Sequence, residues 1–457
     1  MEFLTIFYML FLILLIFIVS RYYKIRKRID IFVVFSLVYA VYYLTVPVIY
    51  FLFENSINYH NDYIWHIKNA TLTDRSYALI YTIIGYCLFC VGFFLTPLYK
   101  KQKISIRDLS NINKKKLMNV FIFFGMFMFI VGGISFLIII INLGGLLNAL
   151  YLADFLRNPN VDNTQYLSQN VLFFMTLGGL LLGAPYAFFG LVVLKRKVVY
   201  KLLFTVTFIV GFIYALFAAG KFVLATYVGG FLLHYLISKR KAKLLIISIL
   251  GLLSVLLVPL LDGVFAYLAG GGERSFEIET VDGVAILGQY SFPYSNLINI
   301  QNMNELFGLR WGIDLINWTW NVLPSIIVYS IGLTFTEGLS RRITTFYGTF
   351  NYQTGGTPAD MLTFVLSQFS VAGLFIMSFV GMLFKKLNGL LEQLDFNDFL
   401  YIYIAILVLP YSMVFNFEMV NVIKYRIDNV TLVIMLILVH LIFLKNKIQL
   451  EGNKSNN

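Results

Sequence analysis

Apolar residues along this chain come in long runs that are hydrophobic on every side, without the alternation of a half-buried strand or the single stripe of a soluble helix. MEFLTIFYMLFLILLIFIVS at the start and LIYTIIGYCLFCVGFFL at 79–95 are examples. A helix needs roughly 17 to 25 apolar residues to cross a bilayer. Eleven such spans are predicted, near 2–20, 31–53, 76–98, 117–141, 169–194, 202–219, 222–238, 244–262, 361–384, 399–416 and 428–444. The eighth and ninth are separated by a long connector, 263–360. A Gly-Gly-Thr-Pro turn at 355–358 is expected to start the ninth span, with proline near the first helical turn. The predicted fold class is therefore an all-α polytopic membrane protein with one large extracytoplasmic loop. Its expected divisions are an N-terminal bundle over 1–262, the loop over 263–360, C-terminal spans over 361–444 and a cytoplasmic tail over 445–457.

The polar residues between the runs set the orientation. Of the 35 Lys and Arg, 25 fall in connectors on one side of the alternating spans, and six of the 23 acidic residues accompany them. By the positive-inside rule that side is cytoplasmic, so the chain start and the long connector face outward. The first run carries its basic cluster RYYKIRKR after the apolar segment, which reads as an uncleaved anchor. All four tryptophans, Trp65, Trp311, Trp318 and Trp320, fall in outward connectors. The segment 311–333, broken by Asp314, Asn317 and Pro324, is expected to lie along the outer interface or dip into it, since indoles favour the headgroup level.

Composition agrees with the pattern, since 59% hydrophobic and 13% charged residues suit a bilayer better than a water-soluble globule. The net charge of +12 sits in short clusters between spans, not along one face, so no nucleic-acid partner is expected. Cys87 and Cys90 form a lone C-x-x-C within an apolar run, too few ligands for a metal site. The four histidines, His60, His66, His234 and His440, are scattered. The chain contains no phosphate-cradling loop with its lysine, no H-E-x-x-H and no G-x-S-x-G. No metal or other cofactor is expected.

What remains is a short set of basic residues on the side where they are rare. Lys221 sits at a tight hairpin between two spans, Arg341 and Arg342 are adjacent, and Arg426 precedes the last span. Guanidinium forks suit phosphate oxygens, and a lipid-linked diphosphate would sit at this depth. Outer arginines also pair with carboxylates or lipid heads without further role. A sugar hydroxyl acting as nucleophile needs a proton acceptor, and the long connector offers Glu273, Glu277, Glu279, Asp282, Glu305, Asp314, Glu337 and Asp360. Glu337 is nearest to the arginine pair, as proton acceptor or as salt-bridge partner.

The eleven-span layout, GGTPADMLTFVLSQFSVAGLFIMSFVGMLF at 355–384, NLGGLLNALYLADFLRN at 142–158 and an arginine before the last span together resemble the bacterial O-antigen and capsular oligosaccharide repeat-unit polymerases (Wzy). The resemblance implies a GT-C-like helical fold in the bacterial inner membrane, with the active site facing outward. It also implies transfer of a glycan from undecaprenyl diphosphate to the next lipid-linked repeat unit without nucleotide or metal. The implied partners are the undecaprenyl-diphosphate-linked oligosaccharide, the lipid bilayer, and a chain-length regulator and flippase of the same pathway. Mapped onto this chain, the family's basic positions are Arg157, Lys221, the pair Arg341 and Arg342, and Arg426. The expected site has Glu337, Arg341 and Arg342 as catalytic residues, with Arg157, Lys221, Arg310 and Arg426 binding the diphosphate. At Lys221 relatives more often carry arginine. The related O-antigen ligases use a histidine in the large loop, and 263–360 has none. The competing expectation is a carrier of lipid-linked oligosaccharide, a flippase or exporter, although no internal repeat is visible.

Overall fold

In the computed structural model, the described residues are 2–27, 29–53, 62–97, 111–157, 169–195, 197–218, 223–224, 227–231, 264, 267, 283–321, 323, 325–334, 337–348, 357–393, 414–418, 420, 423 and 426–454. All secondary structure among them is helical. Seven helical stretches are long and apolar enough to cross a membrane: Phe3–Arg26, Ile31–Phe53, Leu72–Leu95, Ile112–Asn142, Phe173–Leu194, Val198–Phe217 and Met361–Leu391. A shorter apolar helix covers Ile427–Ile442. These match eight of the eleven expected spans in position. The seventh, eighth and tenth expected spans lie largely or wholly outside the described residues. The chain is a polytopic, membrane-embedded helical protein.

The helices pack in two groups. In the first, α1 (Glu2–Arg26), α2 (Ile31–Ala40), a π-helical turn (Val41–Thr45) and α3 (Val46–Phe53) contact α5 (Leu72–Leu95) and connector helix α11 (Gly283–Ile298). Connector helix α11 also packs on α4 (Asp62–Asn69). The second group joins α6 (Asn111–Asn142), α7 (Leu146–Arg157), α8 (Gln169–Gly178), α9 (Leu180–Leu194), α10 (Val198–Phe217) and the closing helix Ile427–Lys454. Small residues let backbones meet, as they do between membrane helices generally. A Cβ on Gly132 of α6 would lie 2.9 Å from the Leu181 backbone nitrogen of α9.

Buried polar contacts pin the first group at both ends. Near the start of α1, the Tyr8 hydroxyl donates to Tyr294 of α11 at 3.0 Å, and Arg75 donates to the Ile67 and Lys68 carbonyls at the end of α4. At the other end, Tyr22 and Asn388 both donate to Asp30, at 2.6 and 3.1 Å, and Asp30 also caps α2 through the Val33 N–H. An Asp N-cap of this kind contributes about 1 kcal/mol.

The ninth expected span is not one helix. It is built of α16 (Met361–Phe369), a 3-10 turn (Ser370–Phe375) and α17 (Ile376–Gln393). Four short connector helices precede it: α12 (Ile300–Phe307), α13 (Ile313–Asn321), α14 (Ser325–Ser330) and α15 (Leu339–Gly348). The chain passes one level twice, because a Cβ on Gly85 would lie 2.7 Å from Leu362 Cδ2 and 3.8 Å from Leu374 Cδ2. Ser370, at φ 52°, makes the reversal, and Gly373 lies directly on the Val365 carbonyl, where a Cβ would come within 1.7 Å. From there α17 runs alongside α5, with Gly381 against the Phe89 carbonyl and Gly92 against that of Ser378. Pro358, expected near the first turn of this span, instead lies two residues before the cap, where Asp360 accepts from the Thr363 N–H. The Asp360 carboxylate, fully buried, also accepts from the Tyr43 hydroxyl at 2.6 Å and from Asn296 at 3.0 Å. This ties the connector to the middle of the second span.

The 311–333 segment forms the two short helices α13 and α14, neither long enough to cross a membrane. On α13 the polar residues Asp314, Asn317 and Asn321 are buried while Ile313 and Ile316 are exposed. Spacing of three and four places those polar residues on one face. The helix therefore turns its apolar side outward, an arrangement suited to lipid and costly in water.

Candidate functional site

The residues around Glu337 converge because a loop, a helix end and a helix start share one place. The loop Gly308–Gly312 has positive φ at Gly308, Trp311 and Gly312. A Cβ on Gly312 would lie 2.8 Å from the Phe369 ring. The loop holds this shape by offering the Arg310 and Trp311 N–H groups to the Ser367 and Gln368 carbonyls of α16, both at 2.9 Å. Those last-turn carbonyls have no partner within their own helix, so the loop satisfies them.

From that loop the Arg310 side chain turns inward. Its guanidinium forks onto Asp314 one helical turn later, and Nη2 also donates to the Glu337 carbonyl at 2.6 Å. Gln368 adds a bond to the same Asp314 carboxylate at 2.8 Å. Arg310 and Asp314 are only 3% and 5% exposed in their side chains. Arg310 is thus held by three bonds, and through the Glu337 carbonyl it ties down the stretch leading to the arginine pair.

Helix α15 then presents Arg341 and Arg342 about 100° apart. Arg341 is 77% exposed, with Nε 3.8 Å from one Glu337 oxygen. Arg342 is 26% exposed, with Nε 3.5 Å from the other. Arg342 also donates to the Phe307 carbonyl at the end of α12 at 3.0 Å, its guanidinium 5.8 Å from the Phe307 ring centroid. Beside it lies a cleft lined by Asn304, Phe307, Arg310, Arg342 and Ser367, among others, with about 10 Å³ of room. That is the room of a single water molecule.

The connector carboxylates separate on burial. Asp360 is enclosed by its three donors and Asp314 by Arg310 and Gln368, whereas Glu337 is 45% exposed between two cations. Glu305 is exposed as well. Glu273, Glu277, Glu279 and Asp282 lie outside the described residues.

Of the expected diphosphate ligands, Arg310 joins the cluster as its buried base. Arg426 belongs to the second helix group, forked onto Asp428 with both contacts at 3.2 Å, where Asp428 packs against Gly183 of α9. Arg157 ends α7, and its side chain, like the whole of Lys221, lies outside the described residues. Among the described residues no group of three or more His, Cys, Asp or Glu is arranged to hold a metal ion.

One member of the cluster is not among the sequence candidates. Glu418, 4% exposed, accepts from the Leu339 N–H at 3.1 Å and from the N–H and hydroxyl of Ser340, at 3.0 and 2.5 Å. Burial pushes its carboxyl above the usual carboxylate range, and the Ser340 bonds oppose that shift. It lies 78 residues from its partner, beyond the connector whose carboxylates the sequence singles out.

No family model, curated protein or solved structure matches the chain. Its function therefore rests on the site itself.

Proposed function

We propose that the chain is a glycosyltransferase that polymerises undecaprenyl-diphosphate-linked oligosaccharide repeat units at the outer face of the bacterial inner membrane. The observation that carries this reading is the cluster of an accessible carboxylate, Glu337, between two guanidinium groups, at the start of a helix hydrogen-bonded to the stretch that leads into the broken apolar segment Met361–Gln393. A hydroxyl of the acceptor glycan attacks the anomeric carbon of the donor glycan. The bond from that carbon to the diphosphate oxygen breaks, and the diphosphate leaves with the electron pair. Glu337 receives the hydroxyl proton. Arg341 and Arg342 offset the negative charge that develops on the departing oxygen, the task for which preorganised donors are most effective. The guanidinium groups supply this charge without metal or nucleotide. Arg341 has the freedom to grip phosphate, since its present contact is a 3.8 Å surface pair worth about 0.2–1 kcal/mol.

A second reading, a carrier of lipid-linked oligosaccharide, is favoured by the broken helix Met361–Gln393 with the buried Asp360 at its start, a feature found at transporter binding sites. Purified protein in liposomes, given undecaprenyl-diphosphate repeat units with chelator present and no nucleotide, distinguishes the two. Polymerisation yields a ladder of lengthened glycans. Movement of repeat units between leaflets without lengthening supports the carrier and overturns the polymerase.

A further inference from the structure

The start of α15 is built to receive a carboxylate. Glu418 reaches it from the stretch 414–418, giving one oxygen to the Leu339 N–H and the other to the N–H and hydroxyl of Ser340. Gly338 leaves the necessary space, since a Cβ there would lie 2.2 Å from Glu418 Oε1. The Ser340 hydroxyl, donating to Glu418, accepts from the Ala359 N–H at 3.1 Å, and the Phe417 N–H donates to the Ala359 carbonyl at 2.8 Å. Three stretches distant in sequence, 338–340, 357–360 and 417–418, are thus locked together at the helix start. The free N–H groups of a first turn carry partial positive charge, which a carboxylate satisfies and offsets.

The residues fixed by this cap directly adjoin the proposed site. Glu337 precedes Gly338, and Arg341 and Arg342 follow Ser340. Arg310 holds the stretch from one side through the Glu337 carbonyl, and Glu418 holds it from the other. With both in place the helix start is tied at two points, which opposes unwinding and rotation and so holds the directions of the two guanidinium groups and the Glu337 carboxylate. We propose that Glu418 is a positioning residue of the Glu337, Arg341 and Arg342 site, a cap supplied from a distant stretch of the chain that sets where the arginines point. The inference rests on the polymerase reading of that site, and its test separates the two.

Full-length Glu418→Gln, Ser340→Ala, Gly338→Ala and the double variant Gly338→Ala/Glu418→Gln are compared with wild type and Arg342→Ala in liposomes. The donor is undecaprenyl-diphosphate oligosaccharide extracted from a polymerase-deleted strain, and rates are expressed per folded protein by size-exclusion peak. Glu418→Gln should lower kcat about tenfold with KM for the donor within about twofold, because misdirected arginines fail in the transition state more than in ground-state binding. Ser340→Ala, which removes the hydroxyl's contacts with Glu418 and the Ala359 N–H but keeps the carboxylate on both backbone N–H groups, should lower it less. Gly338→Ala should match Glu418→Gln, and the double variant should be no worse than either, because both disrupt the same contact. Normal kcat per folded protein in Glu418→Gln and Ser340→Ala, or additive losses in the double variant, would overturn the positioning role. If the Glu418→Gln variant fails to fold, normal kcat in Ser340→Ala decides against it. Should Arg342→Ala also elongate normally, the site reading fails and not merely this inference.

Discussion

Arg310 and Arg341 lie 31 positions apart, and each faces a carboxylate one helical turn away, yet they live in opposite surroundings. Arg310 and Asp314 are almost wholly enclosed, with Gln368 and the Glu337 carbonyl completing their bonds. Arg341 is largely exposed and Glu337 about half so, with 3.8 Å between them. The same pairing therefore does two different jobs. In the enclosed pair each charge depends on its partner, and removing one leaves the other stranded. In the open pair water and salt share the work, so both groups are available to a ligand.

The largest difference should appear in stability. Arg310→Ala or Asp314→Ala should cost about 3–5 kcal/mol, seen as loss of folded protein from the detergent size-exclusion peak. Glu337→Gln should leave thermal unfolding within about 1 kcal/mol of wild type but lower the elongation rate about a hundredfold, the lower range for losing a proton acceptor. Equal stability losses at Asp314 and Glu337 would erase the distinction between the pairs. Raising salt from about 0.15 to about 1 M shortens the screening length to about 3 Å and should weaken donor binding, measured as KM, while the melting temperature stays governed by the enclosed pair. The smallest effect concerns His66, an enclosed group on α4. Burial pulls its pKa from 6.5 down to about 4, although a bond with Asn299 opposes the shift. The unfolded chain then binds the proton first, so the stability this histidine contributes is complete above pH 6.5 and falls as pH drops from 6.5 to 4. His66→Gln should flatten that part of a melting-temperature profile.

The spans were legible because a bilayer demands long apolar runs, and such runs need no knowledge of partners. Asp30 and Asp360 as caps were readable in principle from their place before apolar helices, since a carboxylate there meets free N–H groups. The break at Ser370 was not legible. SQFSVAGLF is as apolar as a continuous helix, and only the close approach of Gly373 to Val365 reveals the turn. The inversion of α13 was hidden for a related reason, because its polar residues look like interruptions along the sequence when they form an inward face. In the site, the adjacency of Arg341, Arg342 and Glu337 was visible since helix spacing alone brings them together. Arg310's enclosure and Glu418's cap depend on contacts 27 and 79 residues apart, which no local pattern records. Nor could spacing show that Arg426 would turn to Asp428 in the second helix group.

The central claim is that the open arginines beside Glu337 serve the departing diphosphate, and chain elongation in a polymerase-deleted strain tests it most directly. Arg341→Ala, Arg342→Ala and the double variant are expressed at membrane levels matched by blot, and the length of surface glycan is read on a gel. Each single variant should elongate roughly ten- to a hundredfold more slowly, the loss of a charge-assisted contact worth about 1.5–3 kcal/mol, with lysine restoring only part of the rate. Full-length polymer at the normal rate from both single variants and from the double variant would contradict the account.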